Sequence, residues 1–272
     1  MARIDDLLAL ASKDKFSYSE ISDIIERLIK LDFPPVAVKF FFDQEEMGKY
    51  QPDRIPVHPI TFCAFIAASR SSGYILVSGE EKLQCASAKY VFGWRPYDDK
   101  QAISHIKYAT GRQQAEKFIK TKPRLPEGKL KGFLTAPLEK TPVAPDVVHF
   151  ICTPLQAYHI LNDYMAAMDA HPLTFTQTIS SAVCGSDVLV YQTQRPNMST
   201  MCSGSHTSGK TERGELNVAI PGTQIEAVAK RMLQRTVRDR GASFPHRGDS
   251  YPGLAVCISC PLLIFKKPGE EK

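Results

Sequence analysis

Seven cysteines and one glycine-rich run are the residues of this chain best suited to chemistry. The cysteines are Cys63, Cys85, Cys152, Cys184, Cys202, Cys257 and Cys260. Their number is odd and their spacings are wide, which does not suggest a disulfide framework. A thiol in a reducing compartment serves as a metal ligand, as a nucleophile, or as a small buried apolar group. The glycine-rich run is "MCSGSHTSGKTERGE", in which Gly204 to Thr211 spells G-x-x-x-x-G-K-T, directly after Cys202.

Those letters match a phosphate-binding P-loop, but their flanks do not. A P-loop needs a buried strand before it and a helix after it, so that backbone N–H groups and the helix N-terminus face the phosphates. The preceding "QTQRPNMSTMCS" is polar and holds a proline, and Gly214 and Pro221 disfavour a helix after Thr211. Nucleotide binding is therefore not expected.

Four thiolates can hold one tetrahedral zinc ion or the corners of a [4Fe–4S] cube. Structural zinc sites usually show C-x₂₋₄-C knuckles, which the pairs Cys63/Cys85 and Cys184/Cys202 lack. Cluster ligands can also come from distant loops. These four cysteines sit beside small residues (Ala64, Ala86, Gly185, Ser203, Gly204) that allow backbone N–H groups to approach sulfur. The alternative reading is four core thiols. "CISCP" at 257–261 holds the one C-x-x-C, but it lies in "GLAVCISCPLLIF", which reads as a buried strand. On a regular strand, positions i and i+3 point to opposite faces. Cys152, Cys257 and Cys260 are accordingly read as core thiols; the alternative, Cys257 and Cys260 as ligands or a redox dithiol, needs the chain to turn at Ser259–Pro261. His206 and Lys210, close to Cys202, are candidate contacts beside a metal, the one as a hydrogen-bond donor and the other for an anion.

No Ser–His–Asp order, carboxylate pair or H-E-x-x-H run stands out. The chain has 272 residues, is 43% hydrophobic and 23% charged, and carries a formal net charge of +5. Lys107 to Lys140 holds nine Lys/Arg against three Glu. Such a surface suits an acidic electron carrier or a small anionic substrate. Aromatic interleaving for nucleic-acid stacking is absent. No apolar run is long enough to cross a bilayer, and "MARIDDLLALASKDK" lacks the apolar block of a secretory signal. A cytoplasmic protein is expected, and a homodimer is compatible with these features.

The elements that would position the thiols follow from periodicity. "SYSEISDIIERLIKLD" predicts a helix with a Ser17/Glu20 capping box, stopped by Pro34 and Pro35. Val36–Phe42 predicts a strand, Thr61–Ala68 a helix, and Tyr74–Val77 a strand. Ala102–Lys120 reads as one amphipathic helix, and "KGFLTAPLEK" as a short strand. "PDVVHFICTP" then reads as a strand, "LQAYHILNDYMAAMDA" as a helix, "VLVYQ" as a strand, Gln224–Val237 as a helix, and "GLAVCISCPLLIF" as a final strand.

The pattern restarts near Pro145. Each half gives a strand, a cysteine among small residues, a second cysteine before small residues, and an amphipathic helix. The cysteine separations are 22 and 18 positions. The fold expectation is α/β: two related α/β half-domains from an internal duplication, with N-terminal helices. The segments are 1–33 (helical), 34–143 (first half) and 144–272 (second half), or one compact domain.

The residues also carry a resemblance. "PPVAVKF", "FCAFIAASRSSGYILVSGEEKLQCASAKYVFGW" and "AVCGSDVLVYQTQRPNMSTMCSGS…GELNVAIPG" resemble the uncharacterised prokaryotic family of domain of unknown function 169, of ArCR type, across residues 18–240. Cys85 and Cys202–Gly204 match its pattern best; Cys63 and Cys184 match more loosely. Relatives are expected to carry an arginine about where His206 stands. The resemblance implies recurrent cysteines and an iron–sulfur context typical of anaerobes, and supplies no reaction. With it, the expected function is a [4Fe–4S] protein with a redox or electron-transfer role in anaerobic metabolism, its ligands being Cys63, Cys85, Cys184 and Cys202. The alternatives are a cluster-dependent enzyme with a substrate pocket, and a zinc-binding or metal-free interaction module.

Overall fold

A computed structural model describes residue 10 and residues 13–238 of the chain. In chain order the elements are α1 Tyr18–Ile29, β1 Val36–Phe41, α2 Gln44–Gly48, α3 Phe62–Ser72, β2 Leu76–Ser78, α4 Ala86–Val91, α5 Asp99–His105, α6 Arg112–Lys120 and β3 Gly132–Pro137. They continue with β4 Val147–Cys152, α7 Pro154–Met168, α8 Ala182–Thr193, β5 Asn197–Thr200, α9 Ser203–Thr207, β6 Leu216–Pro221 and α10 Ile225–Arg238.

The six strands form one antiparallel sheet in the order β2-β3-β1-β4-β6-β5. The fold is α/β in this sense. From each edge toward the centre, the first three strands run 2-3-1 and the last three 5-6-4, and β1 meets β4 in the middle.

Alternation along the strands divides the core. Ala37, Val148, Phe150, Val218 and Ile220 face α1, α7 and α10. Val36, Val38, Phe40, Val147 and Ala219 face the opposite layer, where α3, α4 and α8 pack. Phe62 meets Phe92 and Phe133, and Phe65 meets Phe133, edge to face in that second layer at centroid separations of 5.0–5.1 Å. Cys152 belongs to the first layer and is buried, so its reading as a core thiol agrees with its place.

Local signals set the helix ends. The Ser17/Glu20 capping box is formed, and α1 ends at Lys30 with φ 51°. A second capping box, Thr153/Gln156, with Pro154 at the first position, starts α7. Two readings from periodicity need correction. Ala102–Lys120 is not one helix: α5 and α6 are separated by a 3₁₀ turn at Ile106–Tyr108 and by Gly111, which caps α6. "VLVYQ" is not a strand but the C-terminal part of α8. The physical reason is burial. Ala182 to Val188 and Val190 are all buried, so α8 has no polar stripe to reveal a 3.6-residue period. The strand β6 was not anticipated at all. The run "GLAVCISCPLLIF", with Cys257 and Cys260, lies outside the described residues.

Candidate functional site

The four cysteines chosen from sequence occupy the first turns of four helices. Cys63 is the second residue of α3, behind the N-cap Thr61. Cys85 is the N-cap of α4. Cys184 is the third residue of α8, and Cys202 is the N-cap of α9. α8 packs on both α3 and α4, and α9 packs on α3. The thiols therefore share one region, although 139 positions separate Cys63 from Cys202 in the chain. Cys184 is buried; the other three are half-buried.

Cys63 and Cys202 hydrogen-bond to one another. Both also meet the buried Ser205 hydroxyl, Cys63 Sγ at 3.6 Å and Cys202 Sγ at 3.4 Å. The pair shares a proton unequally. The Cys63 S–H donates to Cys202, and Ser205 and the Ala182 amide add further hydrogen bonds, which brings the Cys202 pKa down to about 4. Its role as donor to Cys202, and burial, raise Cys63. Burial also raises Cys184, helped by the charges of Cys85 and Cys202. In metal-free protein, a small alkylating reagent is expected to modify Cys202 first. Its rate should climb through about pH 4 and be flat by pH 7, whereas an ordinary thiol gains until its own pKa of about 8.5 is passed. Peptide mapping after brief alkylation at pH 6 checks this; equal labelling of Cys63 and Cys202 would refute it.

A buried cation faces these thiols. Lys122 is 5% exposed, and its Nζ donates to Ser180 Oγ at 2.5 Å and Ser87 Oγ at 3.4 Å. Nζ also lies 3.3 Å from His105 Nε2. Cys184, Cys85 and Cys202 lie close enough that their thiolate forms would partly offset the lowering of its pKa by burial. His105 is held neutral by burial. Its Nδ1 lies 2.8 Å from the Gln101 carbonyl, which can only accept, so Nδ1 carries the proton and Nε2 is free to accept from Lys122. Ser181, with φ 66°, starts α8 beside Ser180, and its buried hydroxyl faces the Cys184 thiol.

Buried polar contacts fix the scaffold. Asp187, one turn beyond Cys184, accepts from His149 Nδ1 of β4 at 3.1 Å, with both side chains fully buried. Asn217 of β6 donates to the Ala182 carbonyl at 3.4 Å and to Ser199 Oγ at 3.1 Å, so the start of α8 is tied to β5 and β6. Arg70 of α3 pairs with Glu215 at 3.0 Å and donates to the Lys210 carbonyl at 3.3 Å. It links the Cys63 helix to the turn that follows Cys202. A Cβ at Gly209 would come 2.6 Å from the Ser205 carbonyl oxygen and 3.1 Å from Cys63 Cβ, so glycine allows this turn to close on α3.

The G-x-x-x-x-G-K-T run does not take P-loop form. Its helix, α9, starts before the motif's first glycine, and the residues after Thr211 lead into β6. His206 is exposed, with its Nδ1 3.1 Å from both the carbonyl and the hydroxyl oxygen of Thr211. The Lys210 side chain is exposed. The sequence reading thus selected the four thiols but missed Lys122, His105, Ser180, Ser181 and Ser205. The serines in "ISSAVC" and "CSGS" were the one available signal, since helix-start serines next to cysteine are natural hydrogen-bond donors.

Among the described residues, no group of three or more His, Cys, Asp or Glu is arranged to hold a metal ion. No described helix is long and apolar enough to cross a membrane.

Fold and site together define a mixed α/β protein with a six-stranded antiparallel sheet and a four-cysteine, one-lysine site on one face. Residues 24–231 match the family of domain of unknown function 169, described as uncharacterised ArCR, and the chain belongs to that family. It is also similar to "Uncharacterized protein MJ0308" of Methanocaldococcus jannaschii, 25% identical over 210 residues, covering 75% of this chain and 88% of that protein. No solved structure matches the chain significantly.

Proposed function

We propose that the protein holds one [4Fe–4S] cluster through Cys63, Cys85, Cys184 and Cys202 and serves as a cytoplasmic redox or electron-transfer protein in anaerobic metabolism. The observation that carries this reading is the meeting of four thiols, each from a different helix start, three of them close to the buried Lys122. A single zinc ion needs all its ligands to converge within about 2.3 Å of one point. A cube spreads its four thiolates over four different irons, so they stand farther apart. The four donors are thiols, which either group takes. They are soft, two of them are helix N-caps, and helix N-termini favour thiolate charge. When bound, such a cluster supplies one-electron transfer.

The chain's own residues would bind, tune and shield. Lys122 offsets thiolate charge from within the protein. Ser205 and the Ala182 amide orient Cys202, and the Ser181 hydroxyl is placed against Cys184. His206 and Lys210 stand on the turn after Cys202 and flank the site from solvent. The strand orders 2-3-1 and 5-6-4, each with one cysteine on the helix before the edge strand and one just after that strand, support an internal duplication that gave two ligands per half.

A second reading is a cluster-dependent enzyme. It is favoured by an open cavity of about 770 Å³ bordered by Ala86, next to Cys85, and by Gln101 and Ser104, which contact His105. Anaerobic purification, visible absorption, and iron, sulfide and zinc analysis test both. Roughly four iron and four sulfide per chain are expected. A colourless preparation without either would end the cluster reading, and one zinc in their place would point to the interaction module.

A further inference from the structure

Cys63 and Cys202 are held differently from the other thiols. Both sulfurs meet one oxygen atom, the buried Ser205 hydroxyl, at 3.6 Å and 3.4 Å. The two thiols also hydrogen-bond to one another. Cys184 turns to the Ser181 hydroxyl instead, and Cys152 lies in the opposite layer of the sheet.

The backbone around the pair is pressed together. α3 carries Cys63, α9 begins at Cys202, and the two helices pack on one another. A Cβ at Gly209 would come 3.1 Å from Cys63 Cβ. Further along α3, Arg70 pairs with Glu215 at 3.0 Å and donates to the Lys210 carbonyl at 3.3 Å. These contacts hold the chain after Cys202 against the helix of Cys63. Cys202 is half-buried, and Ser203 and His206 beside it are exposed, so a small solute reaches its sulfur from solvent. A disulfide draws two sulfurs to about 2.05 Å. Two thiols already in contact through one hydroxyl need only a small shift for that.

We infer that Cys63 and Cys202 are a reversible dithiol–disulfide couple, oxidised by hydrogen peroxide and restored by a dithiol reductant. The inference does not rest on the cluster reading, since it concerns the metal-free chain. An exposed sulfur with a resolving thiol beside it is the arrangement of a peroxide-responsive cysteine. The Cys202 sulfur, which accepts from Cys63, attacks one peroxide oxygen. The O–O bond breaks, Cys202 becomes a sulfenic acid, and the departing hydroxide takes the Cys202 proton and leaves as water. The Cys63 sulfur then attacks the Cys202 sulfur. The S–S bond forms, the S–O bond breaks, and hydroxide leaves with the Cys63 proton as a second water. The two thiols lose two electrons together, and one peroxide is reduced to two waters. A dithiol reverses this through a mixed disulfide and is itself oxidised to its own disulfide.

Mass spectrometry of the reduced, metal-free full chain after brief treatment with a few equivalents of hydrogen peroxide tests this. The intact mass is expected to fall by about 2 Da, the two hydrogens lost, and to return with dithiothreitol. A non-reducing digest should join the Cys63 peptide to the Cys202 peptide. The bond would tie α3 to α9 across 139 positions, so the oxidised chain should unfold at higher urea than the reduced one. In Cys63→Ser the disulfide should be lost, and dimedone should capture a sulfenic acid at Cys202. In Cys202→Ser, Cys63 should stay reduced. Three wild-type results, none of which depends on a variant folding, would each overturn the inference: no loss of mass, a bond mapped to any other pair of the seven cysteines, or oxygen added at Cys202 with no bond to Cys63. Iron analysis of the anaerobic preparation bears on the cluster reading alone.

Discussion

On the cluster reading proposed above, serine in place of Cys202 is expected to cost the protein its iron. Cys202 is the thiolate on which the site's hydrogen bonds converge: it accepts from Cys63 and Ser205, and the Ala182 amide points to it. A serine hydroxyl keeps nearly the same volume but is a harder, far less acidic donor, so it does not replace a thiolate on iron. Iron and sulfide in anaerobically purified Cys202→Ser should fall from roughly four of each per chain to below one. Its far-ultraviolet circular dichroism should match metal-free wild type, because Cys202 is half-buried at a helix end and not a core side chain. Cys152→Ala provides the comparison. Cys152 lies in the opposite layer of the sheet, so this variant should lose stability by about 1–3 kcal/mol through its cavity yet keep its iron. Full iron in Cys202→Ser would show that the ligand set is wrong.

Alanine at Asp187 is expected to have the largest effect on folding, about 3–5 kcal/mol. Asp187 and His149 are fully buried and 3.1 Å apart. His149 Nε2 and Asp187 Oδ2 have no other hydrogen-bond partner, so neither residue has a substitute contact. Removing the carboxylate leaves an imidazole buried without its acceptor, and that desolvation is not recovered in the folded state. The pair also joins α8, one turn beyond Cys184, to β4. Metal-free Asp187→Ala should therefore unfold at lower denaturant with an unchanged slope. Asp187→Asn, which keeps an acceptor oxygen, should lose less. A double His149→Leu/Asp187→Leu variant should recover much of the loss, since apolar replacement of a buried pair is often neutral. A loss below about 1 kcal/mol in Asp187→Ala would mean that the pair contributes little net stability.

The sequence by itself determined the ends of the elements that local chemistry controls. The Ser17/Glu20 box and the double proline bounded α1, and alternating β-branched residues marked β1 and β4. It also singled out Cys63, Cys85, Cys184 and Cys202, because small neighbours are a short-range feature; that each stands at a helix start came only with the fold. Identity with the core thiol Cys152 could be separated on the same ground, since Cys152 sits inside an apolar run. The family was legible for a related reason: the matched segments are those same cysteine-bearing stretches.

Only the tertiary structure decided the rest. α8 looked like a strand because it is buried on nearly all sides, and a helix without a wet face has no amphipathic period. β6 is bounded by Glu215 and Pro221, whose neighbours looked like loop, and it is a strand because β4 and β5 pair with it on both sides. Lys122 reads in the sequence as one more residue of a basic surface stretch. The fold places it beneath His105 and Ser180, 17 and 58 positions away, and turns it toward the thiols. Such long-range electrostatics leaves no local mark, because a lysine has the same letter whether water or a cysteine thiolate balances its charge.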